Sequence, residues 1–123
     1  RLMILDKSKN IKSVLGIRFR KNDTNTNIWD KGNFFITKIF NYIYNTKIQD
    51  ALCCAKSFYI NNLNVEKLVS KKFDIDVEIA IQLILKDKNI NEVYLNYMRR
   101  DSFDGKKLKM KDSYYILRRI FKP

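Results

Sequence analysis

The stretch INEVYLNYMRRDSFDGKK, residues 90–107, reads in two ways, and the fold class turns on the choice. Ile90, Val93, Tyr94, Tyr97 and Met98 fall at helical spacing behind Asn91 as a cap. Arg99 and Arg100 then close the last turn, where cations suit the negative end of the helix dipole. The Asp104-Gly105 pair is a turn signal, however, around which residues 93–118 would fold back as a β-hairpin. The 3.6-residue period is obeyed better than strict alternation, so a helix is expected here, and the class becomes α+β if the hairpin forms.

The same period runs outward in both directions. Downstream, Ser113 caps a last helix carrying Leu117, Ile120 and Phe121. Upstream, Val77, Ala80, Ile81, Ile84 and Leu85 make the clearest stripe, on a helix over 77–88. Asn64 is expected to cap a helix over 65–73, with Leu63 and Leu68 as a hydrophobic staple. Ile48, Leu52, Ala55 and Tyr59 predict a further helix. Ile36, Ile39, Phe40 and Ile43 predict the first, over 34–46 behind Asn33. KNDTNTNIWDKGN, residues 21–33, is polar and reads as a surface loop. LMILD and IKSVLGIRF, joined by KSKN, read as a β-hairpin.

The expectation is a mainly α chain of about six helices packed as consecutive pairs, with an N-terminal β-hairpin. With three glycines, one terminal proline and no repeat or linker, residues 1–123 read as one domain. Residues 1–22 form its hairpin, 33–100 its helical core and 101–123 a basic loop and C-terminal helix.

Hydrophobic residues make up 46% of the 123, enough for a real core. The longest nearly apolar run, IAIQLIL at 79–85, is far short of the ~18 residues a membrane helix needs, so no membrane partner is expected. The opening RLMILDKSK has no apolar stretch of the signal-peptide kind, which gives secretion no support. Cys53 and Cys54 are neighbours and cannot staple distant parts of the chain. A reducing intracellular compartment, cytoplasm or organelle matrix, is expected, with both thiols as small apolar residues of a helix.

The net charge of +12 points to a polyanionic partner. The lysine-, isoleucine- and asparagine-rich composition is the pattern expected of AT-rich codons, so the distribution of charge says more than its sum. Residues 1–49 hold 10 cations and 3 anions, residues 50–96 hold 6 and 7, and residues 97–123 hold 9 and 3. Both ends are basic around a neutral middle. Six of the seven arginines lie in RFR and in two RR dipeptides, where codon bias does not explain them. Their planar forks suit phosphate better than lysine does.

Catalytic signatures are absent. No histidine is present, which removes the commonest acid and base and most zinc sites. Gly16, Gly32 and Gly105 are isolated, so no phosphate loop exists. In DIDVE, Asp74, Asp76 and Glu78 could gather around magnesium. The simpler reading is that these carboxylates cap and complement the start of the 77–88 helix. A helix-turn-helix around DID is disfavoured, because its second helix begins with acids rather than groove-reading cations.

What remains is a basic surface drawn from both ends: Arg18, Arg20 and Lys21, then Arg99, Arg100, Lys106, Lys107, Lys109, Lys111, Arg118 and Arg119. Phe103 between charges is the best base-stacking aromatic, while Tyr97, Tyr114 and Tyr115 suit core packing equally well. The expected function is non-enzymatic RNA binding in a ribonucleoprotein, the ribosome by preference. RNA of the ribosomal kind and neighbouring proteins are its partners, with no cofactor, metal or small-molecule substrate. The alternative is a helical adaptor from an AT-rich parasite, virus or organelle, binding protein through Trp29, Phe34 and Phe35. A magnesium enzyme using Asp74 and Asp76 comes last.

Overall fold

The computed structural model describes residues 5–6, 8–18, 28–71, 74–87, 89–95 and 111–121. Among the described residues, three strands and three helices run in the order β1 (Ser13–Ile17), α1 (Ile28–Tyr44), β2 (Lys56–Phe58), α2 (Ile75–Lys86), β3 (Asn91–Tyr94) and α3 (Asp112–Phe121). Two 3-10 turns, Ile60–Asn62 and Val65–Lys67, lie between β2 and α2.

The sheet order is β2-β1-β3. β1 pairs antiparallel with β2, Ser13 opposite Phe58 and Leu15 opposite Lys56. It pairs parallel with β3, Val14 opposite Asn91 and Ile17 opposite Tyr94. SVLGI is buried at every position, as a central strand without a solvent face requires. Gly16 belongs there because Leu95 crosses it closely: a Cβ at Gly16 would sit 2.5 Å from Leu95 Cδ1 and 3.2 Å from Ala55 Cβ.

Leu15 reaches from β1 into a core built by the helices. Ile36 and Phe40 come from α1, Val77, Ala80, Ile81, Leu83 and Ile84 from α2, and Ile116 and Ile120 from α3. The helices gather on that side of the sheet, and α3 packs against both α1 and α2. Tyr44 stacks on Phe40 with ring centroids 4.9 Å apart and donates its hydroxyl to the Ile120 carbonyl at 2.9 Å, tying α1 to α3.

Mixed α/β architecture replaces the mainly α expectation: among the described residues, three helices and a three-stranded mixed sheet stand where about six helices packing in pairs were expected. The 77–88 helix and the C-terminal helix are present as α2 and α3. Residues 91–94, within the stretch expected to open a helix, give the parallel edge strand β3. Ile90, Val93 and Tyr94 suit a pleated edge as well as a helix, and β1 offers an edge to pair with. The rival hairpin over 93–118 does not describe them either, since β3 pairs with β1 and residues 112–118 are helical.

Three further corrections concern the helices. α1 begins at Ile28 and ends at Tyr44, so Asn33 lies inside it and part of the expected 21–33 loop is helical. Asn45 takes the left-handed conformation at φ 52°, and Thr46 N–H donates to the Asn41 carbonyl at 3.1 Å, a helix-ending motif. The Asn41 side chain locks the exit, donating to the Ile48 carbonyl at 2.8 Å and accepting from Ile48 N–H at 3.1 Å.

The expected 48–59 helix is absent because its polar groups are claimed from afar. Ala51 N–H goes to Thr37 Oγ1 at 3.2 Å, and the Ala55 carbonyl accepts Gly16 N–H at 2.9 Å. The 65–73 helix stops after one 3-10 turn, since the amides of Val69 and Ser70 donate to Glu78 at 3.0 and 2.9 Å. Asn64 does not cap with its side chain; its backbone amide donates to Gln82 Oε1 at 2.8 Å.

The N-terminal hairpin survives as one antiparallel bridge, Asp6 with Ile11, around a turn in which Asp6 Oδ1 accepts Ser8 N–H at 3.0 Å. β1 then takes β2 and β3 as its partners. Residues 1–4, 7 and 19–22 of the expected hairpin lie outside the described residues.

Candidate nucleic-acid interface

Four of the twelve expected contact residues, Arg18, Lys111, Arg118 and Arg119, are described, and the fold treats them in two ways. Arg18, just past β1, lays its fork on Asp50: Nε reaches Oδ2 at 2.8 Å and Nη2 reaches Oδ1 at 3.0 Å. The Arg18 amide also donates to Oδ2 at 3.2 Å, and Leu52 N–H donates to Oδ1 at 3.2 Å. Bidentate geometry of this kind is the phosphate geometry, but an internal carboxylate occupies it.

Arg119 is likewise engaged, its Nε 3.3 Å from Oδ2 of the buried Asp74. Helical periodicity separates it from its neighbour in the Arg118-Arg119 dipeptide. A step of 100° turns Arg119 toward α2 and Arg118 toward solvent.

Three further charged groups, Lys56, Asp76 and Glu92, lie around the Arg18–Asp50 clamp. Lys56 of β2, with 3% of its side chain exposed, lies 3.8 Å from Asp76 Oδ1 and donates to the Cys53 carbonyl. Burial pushes the Lys56 ammonium below its ordinary range, against the pull of Asp76, and pushes the Asp76 carboxyl up, against the pull of Lys56. Glu92 of β3 accepts Gln49 N–H at 2.6 Å, and burial raises it too. Tyr94 closes the group by donating to Gln49 Oε1 at 2.9 Å.

The DIDVE acids therefore act across the fold. Asp74 stands before α2 without a side-chain bond to the helix amides, correcting the capping expectation. Asp74, Asp76 and Glu78 instead face Arg119, Lys56 and the 69–70 backbone. Among the described residues no group of three acids or thiols sits where it could hold a metal ion. Of the two free cysteines, Cys53 is buried and its thiol raised by burial, whereas Cys54 is exposed.

Of the four described contact candidates, the two exposed ones are Arg118 on α3 and Lys111 in the turn just before it. Ile116 and Ile120 face the core, Asp112 is buried on the same side, and the opposite side carries Lys111, Tyr114, Arg118 and Phe121. Tyr114 is 64% exposed and Phe121 62%, so the core-packing expectation does not hold for Tyr114. Tyr115 meets Tyr114 edge to face, centroids 5.7 Å apart. Spacing alone could have found this face, since 111, 114, 118 and 121 follow the helical repeat.

A groove of about 960 Å³ between residues 61–67 and α2 is the contrasting surface. Its charged residues are Glu66, Glu78, Lys67 and Lys86, two of each sign, so nothing in it selects a polyanion. Arg20, Lys21, Arg99, Arg100, Phe103, Lys106, Lys107 and Lys109 lie outside the described residues. Among the described residues no helix is long and apolar enough to cross a membrane. No protein-family model, no curated protein and no solved structure matches the chain.

Proposed function

We propose that this chain is a non-enzymatic RNA-binding component of a ribonucleoprotein, of the ribosomal kind, with α3 as part of its contact surface. The observation that carries the reading is the outer face of α3, where Lys111 and Arg118 alternate with the exposed rings of Tyr114 and Phe121. Cations neutralise phosphates and rings stack on bases, and together they match RNA better than either does alone. The net charge of +12 supports the same partner.

Arg18 and Arg119 take a structural part in this reading, holding the sheet end and α3 in place through Asp50 and Asp74. The reading places the chain in a reducing compartment, cytoplasm or organelle matrix, where free thiols persist.

Fluorescence anisotropy of the purified chain with a labelled structured RNA tests it, between roughly 50 and 200 mM salt. Affinity should fall steeply over that range. A Lys111→Ala, Arg118→Ala variant should lower the logarithmic salt slope by about 1.4 to 1.8, two phosphate contacts' worth. No RNA binding at the lower salt would overturn the reading.

A further inference from the structure

The outer face of α1 repeats the pattern of α3. Ile36, Thr37 and Phe40 face inward, and opposite them Lys31, Phe35, Lys38 and Tyr42 follow one another at spacings of four, three and four. Both lysines are exposed, Phe35 is 62% exposed and Tyr42 89%. No acid shares the stripe, which runs for about 16 Å at the helical rise. α1 packs against α3, and each stripe lies on the side of its helix away from the core.

We propose that the outer faces of α1 and α3 form one composite surface for unpaired RNA, in which Lys31 and Lys38 meet phosphates while Phe35 and Tyr42 stack on bases. The proposal rests on the RNA-binding reading above and adds to it a second helix and a preference for single strands.

Two features select this occupant. Four cations and four aromatics without an acid complement a polyanion that also offers flat apolar faces, and only unpaired bases expose such faces. A duplex would use the cations and leave four large rings in water. A membrane surface fits less well, because an interfacial helix needs a continuous apolar face, and those of α1 and α3 are already spent on the core.

The test uses the full chain and four probes: a labelled single-stranded RNA of about 16 nucleotides, the upper end of single-strand site sizes, its duplex, the structured RNA used above, and phosphatidylserine vesicles. Wild type should prefer the single strand to the duplex. Phe35→Ala, Tyr42→Ala should weaken single-strand binding about tenfold or more with the salt slope unchanged, and leave duplex binding as it was. Lys31→Ala, Lys38→Ala should instead lower the slope by about 1.4. Thermal melts should match wild type, because all four side chains are exposed.

Unchanged single-strand affinity in both α1 variants, with binding lost in Lys111→Ala, Arg118→Ala, would overturn the α1 surface and leave the α3 reading standing. Equal affinity for duplex and single strand would overturn the preference for unpaired RNA. Vesicle binding without binding to any RNA would overturn both readings.

Discussion

The Arg18 guanidinium and the Asp50 carboxylate meet at two points, 2.8 and 3.0 Å apart, and only 4% of the Asp50 side chain reaches solvent. The pair joins the end of the central strand to the segment between α1 and β2, so it fixes where the chain enters β2. Removing Asp50 strands a cation and two backbone amides in a dry place. Asp50→Ala should cost about 3 kcal/mol in urea unfolding. Arg18→Lys, which keeps the charge but loses the fork, should recover only part of the difference between Arg18→Ala and wild type. A loss under about 0.5 kcal/mol for Asp50→Ala, the size of an ordinary surface change, would refute the structural role.

Adjacent arginines should separate cleanly. Arg119→Ala breaks the contact with buried Asp74 and is expected to lower stability by about 1 kcal/mol or more. Arg118→Ala should leave the melting temperature alone and reduce the salt slope of RNA binding by about 0.7, one phosphate contact. Melts and salt titrations of the two variants would show the contrast, and interchangeable behaviour would contradict the assignment.

Glu78 ties α2 to residues 69–70. Burial raises its carboxyl, but hydrogen bonds from Ser70 and Val69 outweigh that and hold it below the ordinary 4.5. A depressed carboxylate stabilises the fold fully above its unfolded value, and that contribution fades as pH falls through the folded one. Glu78→Gln should therefore cost about 2 kcal/mol at neutral pH, and less at about pH 3. Asp76 and Glu92, both raised, work in the opposite direction as acid is added, so only the difference between variant and wild type isolates Glu78. A difference independent of pH would show that Glu78 acts by packing alone.

Asn45 ends α1 at φ 52°. Glycine adopts this conformation freely, whereas alanine meets a clash of its Cβ with the carbonyl. Asn45→Gly should be within a few tenths of a kcal/mol of wild type, and Asn45→Ala about 1 kcal/mol less stable. Equal stability of the two variants in thermal melts would remove the left-handed turn as the stop signal for α1.

For the candidate surface, the sequence displayed the residues but not their sorting. The basic ends and the Arg118-Arg119 dipeptide were visible, yet which arginine is paired internally depends on Asp74, 45 residues away. The α1 stripe was hidden because Ile36, Ile39, Phe40 and Ile43 drew the helix by its apolar face, while Lys31 stood in what read as a loop.

Two helices were written locally. α2 and α3 carry apolar residues at the helical repeat, so short-range patterning is enough to write them. The segments around Leu52, Leu68 and Val93 carry the same repeat and are not helices. Their backbones bond to Gly16, to Glu78 and to β1, groups that come within reach only once the chain has closed on itself. The sequence by itself determined charge, core composition and the helices whose partners are near neighbours. Tertiary structure alone decided the sheet, because strand pairing is a non-local choice that periodicity within one segment does not encode.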